Sequence, residues 1–461
     1  MSKKFVRAHL TPSIKTQSLS AEISATQDGL QTVAQMMFSL MMRNVATDGF
    51  RFADPNSPDP RNPVFSTAGC IVAAPSYKGN TDGVDQDYIY NWTRDAAITA
   101  MEIVVANLPT TPGSGVEPLV DYVNFAQTCQ TSATAGGHFS RAAYTIDGQM
   151  RDWSDQNDGP ALQSLAILQA YSQLDQATQA VAKNVVTNNL FYLVAHYQDE
   201  TTNLWEEEFG LSFFAQSAIL RFFQAIKTNT IGIAAPGNID TIIAWLQNGL
   251  QDHWTGTYYQ SLLHVTTNLI PGYDPNIDVI SACIYGAVPA TDTKLLATAA
   301  LLRSQWDQSG PYEYQVNVTD AAQGMGPMLG RYPGDTYDGD QADQILGSHP
   351  WPVCTCNFAQ LYYKLANDIN ASGTVPIDAL SAPFFNQVKV STASSPAEAA
   401  AALIAAGDSM LQAVVFHSDH LELSEQYDGT TGFEKSVKNL TWSYAAFLSA
   451  VREKTGTPVR G

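Results

Sequence analysis

The chain of 461 residues is poor in basic residues, with 24 lysines and arginines against 44 aspartates and glutamates. The formal net charge is therefore −20. A surface this acidic repels phosphate backbones, which excludes nucleic acid as a partner. The same charge suits a soluble protein or one that handles a neutral polymer, but it identifies neither. We expect a monomer.

Cysteine is also scarce, and its spacing argues against a metal site. The five residues are Cys70, Cys129, Cys283, Cys354 and Cys356. Their number is odd, and one residue separates the last two, whereas zinc sites usually begin with two or more intervening residues. We predict no metal and no cofactor. The thiols are either reduced core residues or members of one or two disulfides.

Long hydrophobic runs and a secretion signal are missing from the sequence. No stretch is long enough by our reading to span a membrane, and the basic N-terminus is not followed by an apolar segment. The sequence therefore predicts a soluble protein without a membrane partner. It leaves the compartment open: the protein is cytoplasmic, or it is exported by a signal that has been removed.

Helical periodicity is what the sequence does contain, along nearly its whole length. Apolar residues keep the spacing of one helix face over Leu30–Met41, Ala97–Val105 and Tyr444–Val451. Asp158 is placed as the N-cap of another helix, with Pro160 in its first turn. Further helices are expected near 116–130, 177–195, 211–226, 238–251, 292–306, 351–367, 377–387 and 396–415. With little strand alternation and no linker, the pattern predicts a single all-α domain.

Long, polar, glycine-rich segments separate pairs of helices, at 79–90, 131–157 and 324–350. Loops of that length in a compact helical protein usually carry function. The acidic stretch at 335–343 lacks the spacing of a calcium-binding EF-hand loop. His417 and His420 are interpreted as a solvated pair rather than as zinc ligands.

Two acidic segments beside aromatic residues are candidates for catalysis. Glu206 follows Trp205 and opens a run of three glutamates, and Glu425 lies in a Ser-Glu-Gln-Tyr-Asp segment. Cleavage of a glycosidic bond needs one protonated and one ionised carboxylate on opposite sides of that bond. The alternatives are an acidic helix N-terminus for the first segment and a solvated turn for the second.

Arginine and aspartate recur together beside aromatic residues. Arg94 and Asp95 follow two tyrosines and a tryptophan, and Arg331 and Asp335 lie in a turn-rich segment. Such groups can hydrogen-bond sugar hydroxyls while a ring stacks on the sugar face. The alternative is an ordinary surface ion pair ahead of a helix.

Taken in chain order, six segments resemble those of the fungal-type glucoamylases, the inverting, exo-acting glucosidases of glycoside hydrolase family 15. The segments are Tyr88–Asp95, Asp158–Leu162, Leu204–Glu207, Gly330–Tyr337, Ser424–Asp428 and Leu440–Ala446. The resemblance implies an (α/α)6 barrel as a single catalytic domain, without a starch-binding domain. It also implies release of β-D-glucose from non-reducing ends of α-1,4-linked glucans, and more slowly from α-1,6 links.

The resemblance further implies roles for individual residues. Glu206 would be the general acid and Glu425 the general base. The substrate-binding residues would be Tyr88, Trp92, Arg94, Asp95, Trp153, Leu204, Trp205, Glu207, Arg331, Asp335, Trp351, Gln426 and Trp442. Asp152 stands where the family usually has tryptophan, so Trp153 is expected to fill that role from a different loop.

Three alternatives stay open at this point. The chain could be a related glucosidase that prefers isomalto-oligosaccharides, or one that prefers trehalose. It could also be an inactive sugar-binding protein, although both candidate glutamates are present.

Overall fold

Helices dominate the structure, a computed structural model that describes residues 29–51, 63, 65–75, 88–108, 117–265, 268–307, 309–340 and 348–460. Fourteen α-helices lie within these residues, which confirms the all-α prediction. They are α1 (Gly29–Met42), α2 (Thr93–Ala106), α3 (Pro118–Gly136), α4 (Asp158–Ala170), α5 (Gln176–His196), α6 (Phe213–Thr228), α7 (Ile239–Asp252), α8 (Asp278–Ile284), α9 (Thr293–Trp306), α10 (Gln315–Ala321), α11 (Pro352–Ser372), α12 (Ala382–Gln387), α13 (Pro396–His417) and α14 (Thr441–Thr455).

The strands of the described residues are short and pair antiparallel beside the helices. They are β1 (Asn91–Trp92), β2 (Ala143–Tyr144), β3 (Thr201–Thr202), β4 (Phe209–Ser212), β5 (Leu262–Leu263), β6 (Gln426–Tyr427) and β7 (Glu434–Lys435). β1 pairs with β2, β4 lies between β3 and β5, and β6 pairs with β7. Each pairing fixes a loop against the start of a helix or against another loop.

Six helices close into an inner ring. In order of contact, α2 packs on α4, α4 on α6, α6 on α8, α8 on α11, α11 on α14, and α14 on α2. Six more helices form an outer layer, in which α1 packs on α14, α5 on α4, α3 on α5, α7 on α6, α9 on α8 and α13 on α11. This arrangement is the (α/α)6 barrel that the resemblance implied.

Burial differs between the two layers because inner helices have neighbours on every side. In α2 every residue except Val105 is buried. In α7 the buried residues Ile239, Ile242, Leu246 and Gly249 recur at three- and four-residue spacing, so only one face is covered. α7 is therefore amphipathic, whereas α2 is buried on nearly every side.

Several helix boundaries differ from the sequence prediction. α11 runs five residues past the predicted 367, α12 begins five residues after the predicted 377, and the short helices α8 and α10 were not predicted. α3 runs to Gly136, so its last turn occupies the start of the segment predicted as a loop. The helix stops at Gly137, whose φ of 77° is left-handed and whose N–H bonds the last turn. Asp158 is the first residue of α4 rather than its N-cap, because its carboxylate accepts a 3.1 Å hydrogen bond from Arg94.

The histidine pair is also different from the expectation. The imidazole of His417 is only 8% exposed and lies 2.9 Å from the carboxylate of Asp320, which is 1% exposed. His420 is exposed and pairs with Asp419. The prediction of a solvated pair was therefore wrong for His417, which ties the end of α13 to α10.

Helix α13 corrects the statement that no stretch could span a membrane. By length and composition alone Pro396–His417 is apolar enough to do so, although half of its apolar window is buried inside the protein. It packs on α11, as a core helix does. The five cysteines are buried free thiols, which decides the alternative left open above in favour of core residues.

Candidate active site

The candidate residues gather around the starts of the inner helices. Trp92 directly precedes α2, Trp351 directly precedes α11, and Glu206 lies in the turn before β4 and α6. Glu425 lies next to β6, on the approach to α14. Because the positive end of a helix dipole is its N-terminus, this end of the barrel favours carboxylates.

The carboxylate of Glu206 is surrounded by nitrogen donors. Its Oε1 accepts hydrogen bonds from Trp92 Nε1 at 2.9 Å and from Gln156 Nε2 at 2.7 Å. Its Oε2 accepts one from Trp153 Nε1 at 2.6 Å, and Arg94 Nη2 lies 4.0 Å from Oε1. The side chain is 19% exposed, so this firmly held carboxyl group still has an open edge.

The backbone of Glu206 adopts a conformation that is rare outside glycine, with φ at 64°. Asn203 supports this turn, because its side-chain oxygen accepts the N–H groups of Glu207 at 2.9 Å and Glu208 at 3.2 Å. The amide of Asn203 in turn donates to the Tyr273 hydroxyl. Such strain persists only where neighbouring contacts enforce it, and here it aims a carboxyl group.

Arg94 and Asp95 lie in the first turn of α2, next to Glu206. Arg94 Nη1 donates to Asp158 at 3.1 Å and also to Gln156. Burial alone would lower the pKa of Arg94, but Asp158, Asp95 and Glu206 raise it, so the guanidinium stays charged. Burial raises the pKa of Asp95 to about 7, with Arg94 opposing. Asp95 can therefore donate or accept a proton near neutral pH.

Arg331 forms a second ionic group with Asp335 and Glu207. Its Nε and Nη2 donate to the two oxygens of Asp335 at 2.8 and 2.6 Å, a bidentate pair. Nη2 also lies 2.7 Å from Glu207 Oε1, and Tyr332 donates its hydroxyl to Glu207 Oε2 at 2.8 Å. The guanidinium is thus held between the carboxylates of Asp335 and Glu207.

Three tryptophans pack beside this ionic group. The ring of Trp205 stacks on Trp442 with centroids 6.2 Å apart and meets Trp351 at 5.7 Å. Trp205 Nε1 donates to Asn276 Oδ1 at 2.9 Å, which fixes the indole. The guanidinium of Arg331 lies 5.0 Å from the ring centre of Trp351. An apolar wall with charged groups at its edge is typical of a sugar site.

The carboxylate of Glu425 is buried among hydroxyl groups. Oε1 accepts the hydroxyl of Tyr88 at 2.7 Å, and Oε2 accepts those of Tyr337 at 3.1 Å and Ser436. Only 4% of the residue is exposed. Burial raises the pKa of Glu425, and these three hydroxyls and Arg331 oppose that rise.

Gly339 lies directly against this second carboxylate. A Cβ at this position would collide with the hydroxyl of Ser436 and lie 3.2 Å from Glu425 Oε2. Its N–H donates to Gln426 Oε1 at 3.0 Å, and Gln426 Nε2 donates to the Tyr337 carbonyl at 3.0 Å. Gln426 is thus fully buried and joins two loops, rather than offering its amide to solvent.

One short segment connects the two carboxylates. Tyr88, whose hydroxyl reaches Glu425, and Trp92, whose indole reaches Glu206, have ring centroids 5.8 Å apart. Because these residues lie within one turn of chain ahead of α2, the two glutamates share one end of the barrel.

The structure places nearly all of the predicted site residues in this connected set of contacts. Leu204 differs from the other predicted residues. It is buried in the hydrophobic core at 2% exposure, so it contributes to packing. Sequence reasoning missed Gln156, Asn203, Tyr332, Tyr337 and Ser436. The first four lie within or next to the matched segments, so proximity was an available signal, whereas Ser436 had none.

The chain is similar in sequence to known glucoamylases. Glucoamylase 1 of Rhizopus oryzae is 27% identical over 431 residues, which cover 86% of this chain and 68% of that protein. A glucoamylase of Saccharomycopsis fibuligera is 26% identical over 452 residues, covering 83% of this chain and 84% of that one.

Solved structures give the same fold. The glucoamylase of Hormoconis resinae superposes with a TM-score of 0.74 at 23% identity, over 96% of this chain and 75% of that one. The Saccharomycopsis fibuligera glucoamylase gives 0.75 at 22% identity, over 93% and 95%. The sequence profile described as glycosyl hydrolases family 15 matches residues 40–452. The chain belongs to this family and is a glycoside hydrolase.

Proposed function

We propose that the chain releases β-D-glucose from the non-reducing ends of α-1,4-linked glucans, and more slowly from α-1,6 links, with Glu206 as general acid and Glu425 as general base. The observation that carries this assignment is that two neighbouring aromatic residues each bind one of the carboxylates. Tyr88 donates to Glu425, Trp92 donates to Glu206, and their rings lie side by side. One carboxyl group has an open edge among N–H donors and the other is buried among hydroxyls, so the two lie in different environments.

The proposed reaction gives each carboxyl group one proton transfer. Glu206 gives its proton to the glycosidic oxygen as the bond from that oxygen to the anomeric carbon breaks. Glu425 takes a proton from a water molecule, whose oxygen bonds the anomeric carbon from the opposite face. The product is the β-anomer, and protons exchanged with solvent restore both carboxyl groups. An inverting enzyme holds its carboxyl groups roughly 6.5–9.5 Å apart, which we expect here.

Substrate binding is assigned to the groups around the acid and to the tryptophan wall. Arg94, Asp95 and Arg331 would hydrogen-bond the hydroxyls of the terminal sugar, because each is buried and held by neighbouring charges. Trp205 and Trp442 would pack on apolar sugar faces. The relatives described above are named glucoamylases, which supports α-1,4 glucans over trehalose or isomalto-oligosaccharides.

The anomeric form of the first product tests the mechanism. Maltotetraose is mixed with the enzyme, and the released glucose is followed by proton NMR from the first minutes. We expect β-glucose to appear first, because water attacks opposite the leaving group. Early α-glucose would make one glutamate a nucleophile, and no glucose at all would exclude the proposed substrate. Either result overturns the proposal.

Substitution of the two glutamates tests the assignment of residues. Glu206→Gln and Glu425→Gln should each lower kcat on maltotetraose by at least about 10²–10⁴-fold, since each removes a proton-transfer group. Glu208→Gln is the matched control from the same acidic run, and it should keep most of the activity. Substantial activity in either of the first two variants would show that the residue has another role.

A further inference from the structure

Arg151 is a buried cation whose contacts the proposed reaction does not yet explain. The residue is only 7% exposed, and its Nε and Nη1 atoms are buried without a hydrogen-bond partner. Within the described part of the chain, its guanidinium forms no ion pair with a carboxylate. A desolvated charge without a counter-ion costs free energy, so its neighbours must offset that cost in another way.

Aromatic rings provide the contacts of this guanidinium. Its carbon lies 3.9 Å from the ring centre of Tyr90, 4.2 Å from that of Trp153 and 5.6 Å from that of Trp92. The backbone N–H of Arg151 donates to the Ala143 carbonyl at 3.0 Å, which anchors it to β2. Arg151 is therefore placed between a core ring, Tyr90, and the more exposed indole of Trp153.

Trp153 needs such support because it lies in a loop and is 39% exposed. Its indole N–H reaches Glu206 Oε2 at 2.6 Å. The edge of the ring meets Trp92 at 90° with centroids 6.1 Å apart. An exposed indole held only at its edge would be free to turn away from the carboxylate, whereas a planar cation over its face restricts that rotation.

We propose that Arg151 is a positioning residue, which holds the Trp153 indole so that its N–H orients the Glu206 carboxyl group and its remaining face receives a sugar ring. This inference rests on the proposed function, because it takes Glu206 as the acid. Arg151 acts through Trp153 and does not itself contact the substrate. Its effect on turnover therefore depends on the presence of the indole.

A double-mutant cycle on activity tests this dependence. Arg151→Met should lower kcat/KM on maltotetraose about tenfold, the order expected from losing a desolvated cation–π contact. In a Trp153→Phe background the same change should cost less than about twofold, because the group through which Arg151 acts is already lost. Equal losses in both backgrounds, or no loss in the first, would overturn the proposal.

Controls separate positioning from general folding. Lys183→Met removes another cation, 5.7 Å from the Tyr171 ring on the outer layer, and should leave kcat/KM unchanged. Acrylamide should quench tryptophan fluorescence more in Arg151→Met than in the wild type. That difference should vanish in the Trp153→Phe background, and its persistence there would contradict the proposal.

A second variant covers a failure to fold. If Arg151→Met is not folded by circular dichroism, Arg151→Lys enters the same cycle, because an ammonium group keeps the charge but cannot cover the indole as a plane. The Glu206→Gln result separates a failure of the role of Arg151 from a failure of the proposed function. An inactive Glu206→Gln with an additive cycle overturns only the role of Arg151, whereas an active Glu206→Gln overturns the proposed function.

Discussion

At the scale of single residues, Glu425 shows burial and hydrogen bonding acting against each other. Burial raises its pKa, and the hydroxyls of Ser436, Tyr88 and Tyr337 oppose that rise by stabilising the ionised form. A general base must be ionised to accept a proton. The pKa of Glu425 therefore sets the acid limb of the pH–rate profile.

Ser436→Ala should move that acid limb to higher pH. The substitution removes the hydroxyl that lowers the pKa of Glu425 most, so a larger fraction of the base is protonated and inactive at acid pH. The measurement is kcat/KM on maltotetraose across the pH range. Ser418→Ala, whose hydroxyl donates to the Val415 carbonyl oxygen at 2.7 Å, is the control and should not shift the limb. An unmoved or lowered limb in Ser436→Ala would contradict the argument.

The same residues show how far the sequence leads at this scale. Glu206 and Glu425 could be found because aromatic residues flank them within matched segments. Ser436 could not be found in this way. It lies eleven residues after Glu425, and the two side chains meet only because β6 and β7 pair as a hairpin. Arg151 was missed for a related reason, because its partners are ring faces rather than charges.

At the scale of secondary-structure elements, an ionic group joins that hairpin to the loop carrying Gly339. Lys435 in β7 lies 2.9 Å from Asp338 Oδ1, and His349 Nε2 lies 3.2 Å from Asp338 Oδ2. The backbone N–H of Ser436 donates to Asp340 at 3.0 Å. These contacts fix the hairpin beside the loop and hold the hydroxyl of Ser436 near the base.

Lys435→Met should destabilise the fold by about 1–3 kcal/mol, since it leaves the buried Asp338 carboxylate with less compensation. Burial alone would raise the pKa of Asp338, but Lys435, the Asp340 N–H and His349 bring it below its usual value. The stabilisation is therefore present at neutral pH and is lost as pH falls below about 4. Urea unfolding at two pH values measures this change.

The double variant Lys435→Met/Asp338→Asn provides the check on that interpretation. Removing the charge on both sides should recover part of the lost stability, because no ion is then buried alone. A double variant that is less stable than the sum of the two single variants would show that packing, not charge, dominates at this position.

Single helices could be predicted from the spacing of apolar residues within each helix. The order of the helices around the inner ring could not be predicted from that spacing. α7 has one buried face, so the spacing of its apolar residues predicted it, and the same kind of spacing predicted the inner helices α2 and α14. The closed contact order from α2 to α14 is set by packing between distant segments, and only the family resemblance indicated it. Asp158 was misplaced as a cap because its partner, Arg94, lies 64 residues away.

At the scale of the whole molecule, the barrel keeps several carboxyl groups away from water. Burial raises the pKa of Asp95 and Asp278 to about 7, and that of Asp274 to about 6. In the unfolded chain these groups titrate near 4. The folded state therefore holds protons that the unfolded state has released, and stability falls as pH rises from about 4 to about 7.

Asp278→Asn tests this linkage at one residue. Asp278 is fully buried, its Oδ2 accepts the Ser261 hydroxyl, and its Oδ1 is buried without a hydrogen-bond partner. An amide keeps the shape without the charge, so the variant should melt higher than the wild type at about pH 7.5 and nearly alike at about pH 4.5. Thermal melts by circular dichroism at both pH values measure the difference.

Asp240→Asn supplies the matched control, since that side chain is 77% exposed and should change stability little at either pH. An Asp278→Asn variant that melts lower at both pH values would show that the carboxylate is tolerated ionised and stabilises the fold. The expected outcome instead makes mildly acid pH the most stable condition for these groups. There the molecule gains stability from its protonated interior, and it keeps its activity as long as the pH stays above the pKa of Glu425, which must remain ionised for turnover.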